Sequence, residues 1–139
     1  MKSLPMVRCP VTIYFYDVDP MNVVWHGNYL RFFEKARSEV FDLLDYNYPQ
    51  MKESGYVWPI VDFRIKYIRP LSLQQKIIVE AELVEYENRL KIDYRIFDEA
   101  GENLLTKATS VQVAVKDGNQ ELEFESPPAL LERVERVIQ

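Results

Sequence analysis

Apolar residues change their spacing partway along the chain, and this change restricts the folds that the chain can adopt. Across residues 27–46 they recur at helical intervals, for example at Leu30, Phe33 and Val40. From Pro59 onward they alternate with polar residues, over residues 63–68, 76–83, 90–97 and 104–115. A spacing near 3.6 predicts an amphipathic helix, and a spacing of two predicts strands with one apolar face. The sequence therefore predicts one long helix followed by four strands.

Two further segments complete the predicted order. Residues 9–16 alternate like a strand, and Pro127 and Pro128 open a final helical pattern. Because short turns join the four consecutive strands, we expect an antiparallel meander wrapped around the long helix. The predicted class is α+β, with a single domain over residues 1–139. A doubly wound parallel sheet is excluded, because it needs a helix between successive strands.

Charge and cysteine content exclude several classes of protein. The net charge is −5, which argues against nonspecific nucleic-acid binding. One cysteine, Cys9, allows neither an internal disulfide nor a cysteine metal cluster. No apolar run approaches the ~20 residues that span a bilayer, and residues 1–5 lack a signal-peptide core. We therefore expect a cytoplasmic protein without a transmembrane segment.

Two carboxylates precede the long helix and are the first candidates for chemistry. Asp19 lies in the turn that leads into the helix, where a carboxylate can attack a carbonyl or activate water. An Asp-Pro pair is also an ordinary turn starter, so a purely structural role stays open for Asp19. Asp17 shares the predicted strand face of Val11 and Ile13, and we interpret it as a structural hydrogen-bond acceptor.

The start of the helix offers donors that could hold an oxyanion. If the helix begins near Gly27, the backbone N–H groups from His26 to Tyr29 lack intrahelical partners. The His26 side chain is the only imidazole in the sequence, and a cap or a packed polar group is its ordinary role. No second histidine or cysteine cluster lies nearby to hold a metal. On the helix, Glu34 is either an ion-pair partner of Arg37 or a second catalytic carboxylate.

Other common catalytic and binding motifs are missing from the sequence. It contains no phosphate-binding glycine loop, no nucleophile elbow and no dinucleotide fingerprint. Arg89 and Lys91 lie near the turn before the third of the four predicted strands. Both are candidate contacts for an anionic substrate tail. A solvated hairpin end is the alternative role for both.

The segment from Asp17 to Tyr29 resembles the hotdog-fold thioesterases of the 4-hydroxybenzoyl-CoA and acyl-CoA thioesterase type. It reads Asp-Val-Asp-Pro-Met-Asn-Val-Val-Trp-His-Gly-Asn-Tyr. The helix segment 32–39 and the segment 65–71 are also similar to that family. The predicted order of elements matches as well, so the resemblance covers nearly the whole chain.

The resemblance implies a site, a fold and an assembly. Asp19 is then the catalytic carboxylate, and the backbone N–H of His26 polarises the thioester carbonyl. Predicted substrate-binding residues are Val24, Trp25, Gly27, Tyr29 and Arg89. The implied fold is a hotdog, an antiparallel sheet around a long central helix with a C-terminal helix. The implied assembly is a homodimer with two sites at the subunit interface, often paired into a homotetramer, and no metal or cofactor is required.

Two positions depart from the family pattern. Many members carry glycine where this chain has Asn22, and asparagine is among the few other residues that tolerate a positive φ. The aromatic-substrate enzymes also carry a basic cluster at the hairpin that meets coenzyme A. Here only Arg89 occupies a matching basic position, and Glu87 would repel phosphate.

The predicted function is hydrolysis of an acyl thioester, with acyl-CoA as the expected substrate. Asp19 acts either as a nucleophile or as a general base toward water. Three alternatives remain at this point. The substrate can be an acyl group on a carrier protein, the chain can bind acyl thioesters without catalysis, or His26 can serve a dehydratase.

Overall fold

The secondary structure follows the predicted order of elements. The computed structural model describes residues 4–118 and 121–138. In chain order, its elements are β1 (Met6–Thr12), α1 (Tyr29–Leu43), α2 (Tyr48–Glu53), β2 (Tyr56–Val57), β3 (Ile60–Tyr67), β4 (Lys76–Glu85), β5 (Leu90–Asp98), β6 (Leu104–Gln112), β7 (Val115–Lys116) and α3 (Pro128–Ile138).

A five-stranded antiparallel sheet wraps around α1, as the sequence predicts for an α+β hotdog fold. The strand order is β1–β4–β5–β6–β3, and β2 pairs separately with β7. One face of α1 is buried against the sheet through Tyr29, Phe32, Phe33, Ala36, Val40 and Phe41. The inner faces of β4 and β5 are apolar, with Ile77, Val79, Ala81, Leu83, Leu90, Ile92, Tyr94 and Ile96 all buried. These two faces form the core because each element must cover its apolar side.

The predicted meander is wrong for one strand. The strands β4, β5 and β6 are consecutive neighbours, but β3 pairs with β6 and not with β4. Residues 68–75 cross from β3, at one edge of the sheet, to β4, which lies next to the other edge strand β1, and they bond to the loop before α1. Leu71 O accepts from Val24 N at 2.7 Å, and Leu73 N donates to Asn22 O at 3.0 Å. Because these backbone groups find partners in a loop distant in sequence, the connection is not a hairpin.

Two predicted boundaries also shift. The strand predicted over residues 9–16 is β1, Met6–Thr12, and Phe15–Asp17 form a 3₁₀ turn. The helix predicted over residues 27–46 is α1, preceded by a second 3₁₀ turn at His26–Asn28. Helix ends often tighten in this way, because i to i+3 bonds satisfy groups that the α-helix leaves free.

A membrane-spanning helix is not present in the part of the chain that the structure describes. None of its helices combines the length and the apolar composition that crossing a bilayer requires.

Candidate active site

Asp19 closes a tight turn with its own backbone and side chain. Its N–H donates to Val23 O at 2.9 Å, and its Oδ1 accepts from Met21 N at 2.8 Å and from Val23 N at 3.4 Å. Asn22 adopts φ 63°, so asparagine does sustain the left-handed turn that glycine would make there. No described residue donates to Oδ2. The turn therefore fixes the carboxylate through one oxygen and leaves the other free to react.

Asp17 has the structural role that the sequence predicts, although for a different reason. Its side chain is buried, accepts from Tyr14 N at 3.0 Å and forms an ion pair with Arg31. The predicted strand face does not exist there, because the 3₁₀ turn leaves Phe15 84% exposed while Asp17 points inward. Asp17 O also accepts from Asn28 Nδ2 at 2.8 Å. This residue ties the end of β1 to the start of α1.

The start of α1 keeps fewer free donors than the sequence predicts. Asn28 N donates to Trp25 O at 2.9 Å, and Tyr29 N donates to His26 O. The backbone N–H groups of His26 and Gly27 have no acceptor among the described residues. These two donors, at the positive end of a 15-residue helix, remain able to hold a developing oxyanion.

Gly27 leaves room for a close approach of the Trp25 side chain. A Cβ on Gly27 would lie 2.2 Å from Cζ3 of the Trp25 indole, well inside contact distance. The indole also packs against the His26 ring, with 5.0 Å between ring centroids. The missing side chain at Gly27 therefore lets Trp25 fold over the start of the helix.

A cleft of about 360 Å³ brings most of the predicted site residues together. Its lining includes Asp19, Val24, Trp25, His26 and Tyr29. Gly27, which follows His26 in the chain, lies under the Trp25 ring. One short stretch of the chain thus forms one wall of the candidate site.

The end of β3 supplies the other wall of this cleft, and sequence reasoning missed it. Tyr67, Ile68, Arg69 and Pro70 complete the lining. The Tyr67 ring meets the Tyr29 ring edge to face at 4.9 Å between centroids. Burial raises the pKa of Tyr29, so its phenol stays protonated. The available signal was the similarity of segment 65–71 to the family, because this segment contains the four lining residues.

Arg89 and Glu34 lie outside the Asp19 cleft of their own chain. Arg89 precedes β5 at the opposite end of the sheet and pairs with Glu85 at 3.0 Å. Glu34 lines a different cavity, farther along α1. The ion pairs among the described residues do not include Glu34 with Arg37, so the predicted helix pair does not form.

A family model described as the thioesterase-like superfamily matches residues 13–134. This chain belongs to that superfamily. The match spans the Asp19 turn, α1 and the whole of the sheet after them, so the resemblance read from the motif is confirmed.

Two relatives and one solved structure match this chain over most of its length. The putative acyl-CoA thioesterase YneP of Bacillus subtilis is 30% identical over 116 residues, covering 82% of this chain and 83% of that protein. The acyl-CoA thioesterase YbgC of Haemophilus influenzae is 31% identical over 110 residues, covering 78% and 79%. A hypothetical protein from Aquifex aeolicus superposes with a TM-score of 0.80 at 26% identity, covering 92% of this chain and 98% of its own. The thioesterase-like fold therefore extends over nearly the full described chain.

Proposed function

We propose that this protein is an acyl-CoA thioesterase that uses Asp19 as its catalytic carboxylate. The observation that carries the proposal is the Asp19 turn, in which Oδ1 is held by two backbone N–H groups and Oδ2 is free. Two similar proteins are named acyl-CoA thioesterases, which supports the same substrate class here.

The geometry supports a defined course of reaction. The thioester carbonyl carbon lies over Oδ2 of Asp19, and its oxygen points to the N–H groups of His26 and Gly27. In the nucleophilic route, Oδ2 bonds to that carbon, the C–S bond breaks, and the thiolate of coenzyme A leaves and takes a proton. Water then cleaves the mixed anhydride and restores the carboxylate. In the general-base route, Asp19 takes a proton from water, and the hydroxide attacks the same carbon. The C–S bond then breaks, the carboxylic acid is released, and the leaving thiolate takes the proton from Asp19.

The edge strand β3 supports a homodimer as the active form. β3 has a neighbour on one side only among the described strands, and Ile60, Val61, Tyr67 and Ile68 around it are exposed. An unpaired apolar edge can pair with another strand. In a homodimer, the two β3 strands would pair with each other in antiparallel orientation. Dimerisation then joins two sheets edge to edge; two such dimers would form the tetramer of the implied assembly.

The proposed dimer also gives Arg89 a role. Leu90 of β5 and Ile60 of β3 are both register partners of Gln112 of β6, so Arg89 lies at the end of the sheet where β3 begins. An antiparallel β3 pair brings that end next to the partner's Tyr67 and its cleft. Arg89 would there contact the phosphates of coenzyme A, or acidic residues of a carrier protein, after leaving Glu85. A cytoplasmic location belongs to the same proposal, since the single cysteine, Cys9, is free.

The test is a hydrolysis panel of short, long and aromatic acyl-CoAs, repeated with acyl-carrier-protein thioesters. Release of free thiol from the acyl-CoA series supports the proposal. Turnover confined to carrier-protein thioesters would show that the substrate is an acyl carrier protein thioester and not acyl-CoA. Hydration of an enoyl thioester without hydrolysis would favour a dehydratase, and binding without turnover would indicate a non-catalytic protein. Sedimentation at micromolar concentration tests the dimer, which a fully active monomer would exclude.

A further inference from the structure

Each of the two tryptophans in this chain lines a cavity at one end of α1. Trp58 is 7% exposed and belongs to the mainly apolar wall of the large cavity, a space of about 700 Å³ between α1, α2, β2 and the start of β3. In the proposed dimer, the antiparallel β3 pair brings this cavity next to the partner's cleft. Trp25 is 52% exposed and lines the cleft that also contains Asp19 and His26. The exposed tryptophan is therefore the one in the cleft of the candidate catalytic carboxylate.

Hydrogen bonds hold the backbone of Trp25 at both of its polar groups. Its N–H donates to Asp17 O at 3.2 Å, and its carbonyl oxygen accepts from Asn28 N at 2.9 Å. Asp17 is itself buried and paired with Arg31. Since the backbone is fixed in this way, the position of the indole depends only on the side-chain torsions of Trp25 and on the groups against which the ring packs.

The indole occupies the place where a side chain at position 27 would lie. A Cβ on Gly27 would be 2.2, 2.4 and 2.7 Å from three carbons of the Trp25 six-membered ring, Cζ3, Cη2 and Cε3. By covalent geometry the Gly27 nitrogen is about 2.5 Å from such a Cβ, so the ring lies within about 5 Å of that nitrogen. Gly27 is not among the glycines with a positive φ, so its backbone conformation is open to other residues. Glycine at this position provides the space that the indole fills.

The same ring lies beside the two backbone donors that could hold an oxyanion. The N–H groups of His26 and Gly27 have no acceptor among the described residues. The His26 ring is 5.0 Å from the indole between centroids, tilted by 51°. The indole thus packs against the turn that carries both donors and exposes the rest of its surface to solvent. Water competes for free donors of this kind, and a hydrogen bond to a developing oxyanion is stronger where water is excluded.

We propose that Trp25 is a positioning residue for the oxyanion donors, an inference that rests on the proposed thioesterase function. Packed on Gly27, its indole keeps water away from the N–H groups of His26 and Gly27. These donors then meet the thioester oxygen with little reorganisation of solvent as its negative charge develops. Without the ring, the same N–H groups are hydrated and stabilise the oxyanion less. Trp25 therefore raises the rate of the chemical step more than it raises the affinity for substrate.

Hydrogen exchange at one amide tests the shielding without any turnover. The intrinsic exchange rate of the Gly27 N–H depends on the side chains at positions 26 and 27, so a change at position 25 leaves that rate unaltered. We expect Trp25→Ala to speed solvent exchange of the Gly27 N–H at least about threefold, measured by NMR, and Trp25→Phe to speed it less. The Gly55 N–H, which donates to Lys52 O after α2, is the control and should not change. No acceleration at Gly27, or an equal one at Gly55, would overturn the proposal.

Steady-state hydrolysis of the best acyl-CoA tests the role of Trp25 in the reaction. Trp25→Ala should lower kcat about tenfold, more than it raises KM, because both donors remain but lose their cover. Trp25→Phe, which keeps a smaller ring, should restore part of the rate. Phe124→Ala removes a ring that is 94% exposed and outside the cleft, and it should leave both constants unchanged. A higher KM at an unchanged kcat would make Trp25 only a contact for substrate and would contradict the proposal.

A second substitution displaces the ring and keeps both N–H groups. A Cβ at 2.2 Å leaves no room for the indole, so Gly27→Ala should lower kcat as much as Trp25→Ala does. Added to Trp25→Ala, the same Gly27→Ala change should cost less than about twofold, because no ring remains to be displaced. Equal losses in the two backgrounds would show that the added methyl group acts by itself, against the proposal. If the wild-type protein hydrolyses no thioester, the proposed function fails, whereas equal kcat in an active wild type and in Trp25→Ala refutes this inference alone.

Discussion

The cavities at the two ends of the central helix differ in volume, in polarity and in the residues that form them. At its start, a cleft of about 360 Å³ is lined by Asp19 and His26, beside the free backbone N–H groups of His26 and Gly27. Toward its other end, a cavity of about 700 Å³ is mainly apolar and carries Arg37 and Gln112 in its wall. In the proposed function, the first end supplies the groups that act on the thioester carbonyl, and the second offers an apolar surface for an acyl group. Under that proposal, reaction and acyl binding lie at opposite ends of one helix.

The largest effect is expected for a substitution of Asp19, which tests whether the reaction takes place at the start of α1. We expect Asp19→Asn to lower kcat by at least about 10²-fold, because the amide is neither a nucleophile nor a base. Steady-state hydrolysis of the best acyl-CoA measures the loss. Glu99→Gln makes the same chemical change in an exposed turn and should keep full activity. Turnover of Asp19→Asn near the wild-type rate would end the assignment.

A second variant tests whether Asp17, two residues away, is structural. Asp17→Ala should lower the free energy of unfolding by about 2–3 kcal/mol, since the Tyr14 N–H and Arg31 lose their buried acceptor. Urea denaturation gives the difference. Asp62→Ala removes an exposed pair with Arg64 and should cost less than about 1 kcal/mol. Equal losses in the two variants would contradict the role of Asp17 in tying β1 to α1.

The third prediction compares a long and a short substrate to test whether the large cavity holds the acyl chain. Ser38 lies in the wall of the large cavity and is exposed, so Ser38→Phe should occupy part of that space without disturbing the core. We expect kcat/KM for octanoyl-CoA to fall on the order of tenfold, while acetyl-CoA, which does not reach the cavity, is unaffected. Ser38→Ala is the matched control and should change neither value. An equal fall for both substrates would remove the distinction between the two ends.

The smallest expected effect concerns the His26 side chain. Its imidazole is exposed, and the proposed oxyanion donor is the backbone N–H, which alanine retains. His26→Ala should therefore lower kcat by no more than about threefold, far below the loss of a donor or a general base. The pH profile of kcat should keep its shape. A loss as large as that of Asp19→Asn would make the imidazole an acid or base and favour the dehydratase alternative.

The helix start shows how far a motif predicts a site. The sequence predicted Asp19, Val24, Trp25, His26 and Tyr29, and the structure collects these residues in one cleft. It predicted a structural Asp17 correctly, but from a strand face that the 3₁₀ turn replaces. It did not predict the wall from residues 67–70, because that wall depends on where the crossover after β3 runs.

The sequence by itself determined the long helix, the strands and the turn that holds Asp19. Helical and alternating spacing are local properties, and the bonds of Asp19 reach no farther than Val23. Only the tertiary structure decided that β3 pairs with β6, that β3 is an edge, and that Arg37 and Gln112 share a cavity. These arrangements join residues far apart in the chain, and no local pattern specifies them. They are selected by the packing of the whole sheet around α1, which has to bury every apolar face at once.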